Sequence, residues 1–478
     1  MKLTFWGAAR QVTGSMCLLE VDDFRILIDC GVNFDLDEKQ KKALYDQQKS
    51  VFPFDPTLVN TVLLTHAHID HSGNIPNLYK EGFEGQVVCT EPTYSLTSIL
   101  LQNSAMLHQK RLNTVNGQSS NKNKNKKTKP VRDIPRDLFT EKHVKEAMEN
   151  FFPVAFGQRY RLTDSVSVTY LPAGHLLGAA HIVVEVRENG EKKTLCFSGD
   201  VGRKNYPLLV DPQPVPQVDY LICESTYGNR LHEDMREPGE ALLDVIQRTC
   251  VDIPGRLIIP TFSVGRTQAL LYTLNKLAVN NQLPALKVFT DSPLSFASTR
   301  VYQKFSRMLN REAREFKEDN ELLFDFENLV YIETGDASQA ISNYNEPCVI
   351  ISSSGMVQGG RIEHHVAANI ENPYATILMI GYASENTLGW RLLNGQDTIT
   401  IRGEKKSVLA TIEKIDVFSG HGDQNDLLNF VQTQDPEQLK KVFLVHGEAQ
   451  SMEDFSAILQ TQGYAQTEIP ERGQTYEL

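Results

Sequence analysis

The sequence has no long apolar run, no paired cysteines and no excess of positive charge. No apolar stretch approaches the ~20 residues of a membrane span, and residues 1–7 do not begin a signal peptide, so we expect a cytoplasmic protein that does not enter membranes. The seven cysteines stand singly, without CxxC spacing, which favours buried free thiols over disulfides. The net charge of −12 opposes general attraction to nucleic acid, although a bound metal or a basic groove can attract phosphate to an acidic protein.

The 478 residues are too many for one ordinary core, and the pattern changes along the chain. Residues from 1 to about 100 predict short strands separated by turns. Residues 209–395 alternate apolar runs, at 220–223, 257–259, 287–289 and 348–351, with helical patterns, as in a parallel α/β domain. Four prolines between residues 207 and 216 indicate a domain boundary there.

A basic segment at residues 111–132 interrupts the first region. It carries seven Lys or Arg residues and no acidic residue. This composition predicts a segment without stable structure between two helices, at about 94–110 and about 140–150. Two interpretations stand: a solvated insertion, which we favour because loops tolerate insertions, and a basic arm that contacts a phosphate backbone.

Potential metal ligands are concentrated at residues 65–71, directly after the apolar run 61–64. They are His66, His68, Asp70 and His71. Three imidazoles and a carboxylate are the donors that suit zinc, and catalytic zinc sites keep one position open for water. If the apolar run is a buried strand, the ligands lie at its carboxyl end, where α/β sheets place their sites. The alternative, a histidine-rich surface loop, is disfavoured because so many ligands rarely fall within reach of one point.

Three more candidate ligands lie elsewhere in the chain. Asp200 follows the apolar run 195–198, and His446 follows the run 442–445. His175 lies between Gly174 and Gly178, and glycines allow the backbone to approach a ligand closely. A second cluster of donors, far apart in sequence, is therefore available to complete the site.

With these motifs the chain resembles the metallo-β-lactamase superfamily and, within it, the β-CASP family of RNA-cleaving nucleases. The resemblance covers nearly the whole chain. It implies an α/β fold in which residues 1–208 and 396–478 form a metallo-β-lactamase αββα sandwich and residues 209–395 form an inserted parallel α/β β-CASP domain. The sandwich is then discontinuous, and the substrate lies in the cleft between the two domains.

The resemblance also implies two Zn²⁺ ions per chain and assigns the ligands. The first zinc matches His66, His68 and His175, the second matches Asp70, His71 and His446, and Asp200 bridges the two. Asp29, in the turn Asp-Cys-Gly, matches the residue that supports the ligand loop.

The same comparison assigns the catalytic residues. His421 matches the general acid that protonates the leaving oxygen, Glu224 matches the carboxylate that orients it, and Asp70 is a catalytic residue as well as a ligand. The remaining histidines match no ligand motif and are interpreted as surface or satisfied buried residues; they are His108, His143, His181, His232, His364 and His365. For His364 and His365 the alternative is that they line the cleft.

Two Gly/Ser turns in the inserted region precede an arginine. Their predicted phosphate-binding residues are Ser263, Arg266, Ser353, Ser354, Gly355 and Arg361. Amides at helix amino termini, hydroxyls and a guanidinium together suit a phosphate. Each turn alone would be ordinary turn chemistry, but both agree with motifs of the family.

The resemblance implies a zinc-dependent ribonuclease that hydrolyses RNA phosphodiester bonds by a two-metal mechanism, as an endonuclease, a 5′–3′ exonuclease or both. One alternative is a lactamase-fold hydrolase of a thioester, which would not need the insertion, Glu224 or His421. Another is a non-catalytic RNA-processing scaffold, which is disfavoured because every ligand is present. His446 favours RNA over DNA, since DNA-directed members of the family usually carry an aliphatic residue there. The expected partners are RNA and, as a further assembly, a second copy in a homodimer.

We predict that the basic segment is dispensable for chemistry. Deleting residues 113–130 and joining the ends should leave turnover of a short RNA within a few-fold of wild type. If the segment contacts phosphate, the deletion weakens binding of long RNA at low salt, because fewer counterions are released. Loss of turnover on the short RNA would contradict the interpretation as an insertion.

Overall fold

The structure, a computed structural model, describes residues 1–115, 135–188, 190–381, 383–385 and 387–478. Residues 116–132 of the basic segment lie outside the described residues, so both of its interpretations stay predictions. The helices predicted on either side of it are present as α4 (Glu91–Val115) and α5 (Glu141–Glu149), numbered along the chain.

Two seven-stranded sheets form the larger domain in the described part of the chain. The first contains, in spatial order, β22 (Thr475–Glu477), β1 (Lys2–Gly7), β2 (Met16–Val21), β3 (Phe24–Ile28), β4 (Thr61–Leu63), β5 (Gln86–Thr90) and β6 (Phe151–Val154). The second contains β21 (Thr467–Glu468), β20 (Lys441–Val445), β11 (Tyr220–Glu224), β10 (Glu191–Phe197), β9 (Ala180–Glu188), β8 (Val166–Pro172) and β7 (Arg159–Arg161).

The core of this domain lies between the two sheets, because alternate side chains of each strand point to the facing sheet. Phe5 on β1 and Phe443 on β20 are fully buried, with ring centroids 5.1 Å apart. Tyr170 on β8 is also buried, and its hydroxyl donates a hydrogen bond to Val88 O on the other sheet at 2.8 Å. Burial of one such side chain contributes about 1.5–3 kcal/mol, so the two sheets form a rigid base for the loops at their edge.

Helices cover both outer faces of the sandwich. Those of this domain are α1 (Glu38–Gln48), α2 (Ile69–Ser72), α3 (Ile75–Lys80), α4, α5, α13 (Gln424–Val431) and α14 (Ala449–Thr461). Leu78 of α3 packs in the cluster behind the first sheet, while Phe430 of α13 and Phe455 of α14 pack behind the second. The predicted αββα arrangement is confirmed.

The third sheet is the predicted parallel α/β domain. Its strands, in spatial order, are β14 (Leu329–Tyr331), β13 (Lys287–Asp291), β15 (Cys348–Ser352), β12 (Arg256–Pro260), β16 (Ala375–Met379) and β19 (Thr411–Lys414), and each neighbouring pair is parallel. Its helices are α6 (Pro238–Ile246), α7 (Arg266–Val279), α8 (Pro293–Lys304), α9 (Arg311–Asn320), α10 (Gly335–Ala340), α11 (Ile362–Asn369) and α12 (Leu388–Leu393). A hairpin of β17 (Thr398–Ile401) and β18 (Glu404–Ser407) follows α12.

Two strands lie in sheets other than those expected. The run 220–223 was predicted for the inserted domain, but β11 pairs in parallel with β10 and β20 of the sandwich. Strand β19 falls within residues 396–478, predicted for the sandwich, yet pairs with β16 of the third sheet. A short apolar run has the same sequence pattern in any buried parallel sheet. Only the strands that it pairs with show which of the two sheets it belongs to. The division of the chain at residues 208 and 395 stays a prediction.

The sequence also predicted free cysteine thiols and no membrane-spanning segment. All seven cysteines are buried with free thiols. Among the helices of the described ranges, none is both long and apolar enough to cross a bilayer.

Candidate metal centre

The predicted ligands meet at one edge of the sandwich because they follow strands that end there. Strands β10, β11 and β20 are parallel neighbours, with Phe197, Ile222 and Phe443 in register. The residues at or just after their carboxyl ends, Asp200, Glu224 and His446, therefore lie side by side. The loop after β4 and the loop between β8 and β9 bring the other ligands to the same edge.

Four ligand atoms face one point and define the first metal position. They belong to His66, His68, His175 and Asp200 and lie within 4.8 Å of one another. The Nδ1 atom of His68 is 3.1 Å from the Nε2 atoms of both His66 and His175. Asp200 Oδ2 is 3.4 Å from His66 Nε2 and 3.5 Å from His175 Nε2.

The second position lies on the other side of Asp200 and is formed by Asp70, His71 and His446. The Nε2 atoms of His71 and His446 are 3.3 Å apart, and Asp70 Oδ2 is 3.5 Å from His446 Nε2. Asp200 Oδ1 lies 3.3 Å from His71 Nε2. The two oxygens of one buried carboxylate thus face two different groups of imidazoles.

These spacings fit a pair of small divalent cations. A tetrahedral site with bonds of about 2.0–2.1 Å has ligand atoms about 3.3 Å apart along its edges, which agrees with the distances above. Asp200 Oδ1 is buried and makes no hydrogen bond of ordinary geometry. Imidazole nitrogens and carboxylate oxygens are the donors that zinc accepts. The cluster therefore supports a divalent metal.

The outward nitrogens of the ligand imidazoles are held by a second layer of hydrogen bonds. His66 Nδ1 lies 3.1 Å from Thr65 Oγ1, His175 Nδ1 donates to Gly420 O at 3.0 Å, and His446 Nδ1 lies 3.0 Å from Thr226 Oγ1. Such contacts fix the tautomer and the orientation of a ligating imidazole.

Asp29, the residue predicted to support the ligand loop, makes three hydrogen bonds to that loop. It is buried directly after β3, and its Oδ2 accepts hydrogen bonds from His71 Nδ1 and Thr65 Oγ1, both at 2.8 Å. Its Oδ1 accepts from Thr65 N at 2.8 Å. One carboxylate therefore fixes both the backbone before the ligands and the ring of His71.

The two positions differ in electrostatics. Burial lowers the pKa of His68 to about 4 and holds the pKa values of His66 and His175 well below the usual range. Burial also opposes charge on His446, but the carboxylates of Asp200 and Asp70 outweigh it and raise its pKa to about 9. The imidazoles of the first position are therefore neutral, as metal ligands must be. The carboxylates of the second position stabilise positive charge there.

His421 and Glu224 form a pair beside the ligand cluster. His421 Nδ1 lies 3.2 Å from Glu224 Oε1, and the His421 ring centroid is 4.5 Å from that of His175. Glu224 is fully buried, and its carboxylate also accepts hydrogen bonds from Val201 N at 2.7 Å and Thr226 N at 3.1 Å. The His421 side chain stays 17% exposed, so a substrate atom can reach it while the carboxylate behind it is fixed.

A cleft of about 1110 Å³ opens between the sandwich and the inserted domain. Tyr227 and His232 line it from the sandwich, and Gly381 and Trp390 line it from the inserted domain. The Tyr227 ring is 6.0 Å from the His421 ring, so the cleft lies beside the His421–Glu224 pair. The predicted position of the substrate between the domains stays a prediction.

Arg266 carries an uncompensated positive charge near this cleft. Its guanidinium carbon is 4.7 Å from the Phe262 ring centroid, and a β-carbon at Gly381 would overlap the guanidinium. Burial lowers its pKa, while the Tyr206 and Tyr227 hydroxyls raise it. Within the part of the chain that the structure describes, no carboxylate pairs with Arg266. An anion is the partner that such a site stabilises.

Arg361, predicted for the same role, is already paired. It donates to Asp291 Oδ1 at 2.6 Å and to the backbone carbonyls of Ile332 and Glu333 at 3.1 and 2.8 Å. Asp291 is fully buried and also lies 2.6 Å from His365 Nε2. The guanidinium of Arg361 therefore serves first to neutralise a buried carboxylate, and its contact with phosphate stays a prediction.

The predicted hydroxyls are brought together at the carboxyl edge of the third sheet. Ser263 Oγ donates to Ser353 Oγ at 2.7 Å, and Ser353 Oγ donates to Ser292 Oγ at 2.7 Å. Ser354 is more exposed and donates to a backbone carbonyl at 2.8 Å, and Gly355 packs against the Phe262 ring. Ser292 was not predicted. Its position directly after the strand β13, like that of the predicted serines after their strands, would have indicated it.

Other residues near the site were missed as well. Thr65 and Thr226 support ligand imidazoles, and both stand within two residues of a predicted site residue. His232 was interpreted as a surface or satisfied buried residue, yet its ring contacts the backbone of His421. Nothing in the sequence around His232 distinguishes it from a surface histidine.

Comparisons with known proteins show the family of the chain. Residues 18–194 match the metallo-beta-lactamase superfamily domain, residues 267–392 match the Beta-Casp domain, and residues 405–470 match the Zn-dependent metallo-hydrolase RNA specificity domain. The three matches cover the sandwich, the inserted domain and the region that carries His421 and His446.

Relatives along the whole chain include a ribonuclease from Thermus thermophilus, 32% identical over 97% of this chain and 97% of its own length. A transcription termination factor from Methanocaldococcus jannaschii is 29% identical over 98% of this chain and 70% of its own length. An RNase J-like protein from the same organism is 29% identical over 98% of both chains. A solved structure of a protein from Enterococcus faecalis has a TM-score of 0.55 at 14% identity over 100% of this chain and 99% of its own, which shows the fold alone.

We predict that Asp200 controls both metal positions while His446 controls one. Asp200→Ala should lose most of both bound metals, because each position loses a negative ligand. His446→Ala should lose metal from the second position only. Metal content per chain, measured by plasma mass spectrometry after purification in zinc, distinguishes the two, with His143→Ala as a control remote from the site. Equal depletion in the Asp200 and His446 variants would contradict a shared carboxylate.

Proposed function

The chain belongs to the β-CASP family of the metallo-β-lactamase superfamily, and from this membership we propose that it is a zinc-dependent ribonuclease acting in RNA processing or decay. The observation that carries the proposal is the His421–Glu224 pair, set 4.5 Å by ring centroids from a ligand imidazole at an inter-domain cleft. A lactamase-type hydrolase of a small ester needs neither this pair nor the second domain.

Two Zn²⁺ ions per chain complete the proposed site. His66, His68 and His175 would hold one, Asp70, His71 and His446 the other, with Asp200 shared. When bound, the metals supply Lewis acidity and a nucleophile derived from water at neutral pH. The chain's own part is to fix these ligands through Asp29, Thr65 and Thr226, so that the donors need little reorganisation when the reaction begins.

His421 is the proposed proton donor to the leaving oxygen. Its Nδ1 is engaged by Glu224, so the exposed side of the ring is left to face the substrate. The buried carboxylate orients the ring and stabilises its cationic form, as in other histidine and carboxylate pairs. Because Glu224 is itself fixed by two backbone amides, the pair keeps its geometry when the substrate enters.

Substrate phosphate is the proposed partner of Arg266 and of the Ser263, Ser353 and Ser354 hydroxyls. An arginine without an acidic partner in a partly buried site gains a strong charge-assisted hydrogen bond when phosphate arrives. The overall charge of −12 does not oppose this local contact, because among the described residues the Arg266 guanidinium is a positive charge that no carboxylate pairs with.

Two alternatives remain weaker. A thioester hydrolase would use the ligands but leaves Glu224, His421 and Arg266 without a role. A non-catalytic scaffold is disfavoured because all seven ligand atoms converge in two groups. A cytoplasmic location and a homodimer are further proposals, and sedimentation of the purified chain tests the second.

RNA labelled at either end tests the proposed function. With zinc present, the chain should shorten RNA or cut it internally, and the position of the label in the products separates exonucleolytic from endonucleolytic cleavage. Substrates with a 5′-phosphate or a 5′-triphosphate test the dependence on the 5′ end. An unmodified RNA that remains intact with zinc-loaded protein would contradict the proposal.

We predict that His421→Ala separates proton transfer from metal binding. Its cleavage of RNA should slow by about 10²–10⁴, the usual contribution of a positioned proton donor. Cleavage of bis(4-nitrophenyl) phosphate should stay near wild type, because nitrophenolate leaves without protonation. Metal content should not change. An equal loss on both substrates would show that His421 does not act as the acid.

We also predict that Arg266 contributes to substrate binding while a solvent-exposed arginine does not. Arg266→Ala should lower kcat/KM for RNA by about 10- to 100-fold, since a hydrogen bond to a charged group is worth about 1.5–3 kcal/mol. Arg300→Ala, an exposed residue on α8, is the matched control. Equal effects of the two substitutions, measured under the same salt conditions, would remove Arg266 from the proposed phosphate site.

A further inference from the structure

The proposed proton donor His421 lies in a backbone segment whose own residues restrict its conformation little. Gly420 and Gly422 flank it, and glycine backbones lose more conformational freedom on folding than any other residue. Gly422 cannot be replaced by a larger residue without cost, because a β-carbon there would meet the Asp426 side chain. The orientation of His421 must therefore be set by contacts from outside the segment.

One such contact comes from the loop that follows β10. Gly422 N donates to Val201 O at 2.8 Å, and His421 forms an isolated bridge with Gly202. This contact holds the segment on one side. The carbonyl of His421 points the other way, toward the loop that follows β11.

His232 in that loop holds the His421 carbonyl. Its Nε2 lies 3.1 Å from His421 O, and because a carbonyl oxygen only accepts, this nitrogen carries the proton. The backbone N of His232 donates to Asp423 Oδ2 at 3.1 Å. The His232 side chain is only 6% exposed, and its ring packs edge-on against Tyr227 at 5.6 Å.

Asp416 fixes the loop that carries His232. Its carboxylate accepts hydrogen bonds from Glu233 N at 2.7 Å and Asp234 N at 3.0 Å. The same carboxylate lies 3.9 Å from His232 Nδ1. The ring of His232 is thus held between Asp416 on one side and the peptide of His421 on the other.

We propose that His232 is a positioning residue for His421, an inference that rests on the proposed role of His421 as proton donor. The peptide after His421 is held at its N–H end by the bond from Gly422 N to Val201 O and at its carbonyl end by His232, with a longer contact of 3.5 Å from Ser419 Oγ. The plane of this peptide sets the direction of the His421 side chain. Without the His232 contact the carbonyl end is held only by the longer contact, so the peptide can tilt and the ring can turn away from Glu224 and from the leaving oxygen. A displacement of about 1 Å at a reacting group can cost up to about 10²-fold in rate.

His232 does not act as a second proton donor or as a ligand. Its Nε2 proton is committed to the His421 carbonyl, and its Nδ1 faces Asp416. Neither of the two ligand groups found among the described residues contains it. Its effect on the reaction therefore passes through His421.

Three substitutions at position 232 test the proposal in the zinc-loaded full chain. His232→Leu removes the donor and keeps an apolar volume, His232→Asn keeps an amide that is too short to reach, and His232→Gln keeps a donor near the position of Nε2. We expect kcat on RNA to fall by about 10- to 100-fold for Leu and Asn, with KM and metal content nearly unchanged, and Gln to restore most of the loss. His143→Leu, at a histidine in α5, is the control.

Two further measurements separate this role from a loss of stability. Cleavage of bis(4-nitrophenyl) phosphate should be unaffected, because that substrate needs no proton donor. His232→Leu combined with His421→Ala should be no slower on RNA than His421→Ala alone, since the two act as a unit.

The proposal is overturned if the Leu and Asn variants cut RNA at the wild-type rate, or if they lose both substrates equally. If His232→Leu does not fold, His232→Asn decides by the same criteria. A His421→Ala variant that slows both substrates equally would instead overturn the proposed role of His421, and RNA left intact by the zinc-loaded wild-type chain would overturn the proposed function, so the failures are distinguishable.

Discussion

The site depends on one constraint, the parallel alignment of β10, β11 and β20. Their carboxyl ends place Asp200, Glu224 and His446 side by side, although 246 positions separate the first from the last in residue number. The middle strand ends at Glu224, the carboxylate proposed to orient the proton donor. The outer strands lead to Asp200, the proposed shared ligand, and to His446, the proposed last imidazole ligand. Buried apolar pairs between the two sheets keep this edge rigid, so the charged groups are held by the sandwich and not by the loops alone.

The burial of so many charged groups is stabilised by mutual pairing. Asp29, Asp200 and Glu224 are each at most 4% exposed, and each faces an imidazole. Unpaired buried carboxylates would cost several kcal/mol each, so the imidazoles and the proposed cations are part of the folding energetics as well as of the chemistry. Arg266 has no such acidic partner among the residues that the structure describes, which is the electrostatic reason for proposing that it binds the substrate.

Much of the site could be predicted from the sequence because its ligands lie in short, recognisable sequence patterns. His66, His68 and His71 fall within six residues, and Asp200 and His446 each follow an apolar run. Both patterns can be recognised in the sequence without knowledge of the fold. The sheet of β11 could not be predicted, since its apolar residues suit either parallel sheet. The difference between Arg266 and Arg361 depends on Asp291, which is distant from both in sequence, and His232 contributes through a backbone contact that no side-chain pattern records.

Anomalous diffraction from zinc-loaded crystals, collected at the zinc absorption edge, tests the central claim most directly. The account predicts two peaks in the described site, one among His66, His68 and His175 and one among Asp70, His71 and His446. The Asp200 carboxylate should lie between the peaks, with one oxygen toward each. A single peak, or two peaks of which only one touches Asp200, would contradict the account of a centre joined by that carboxylate.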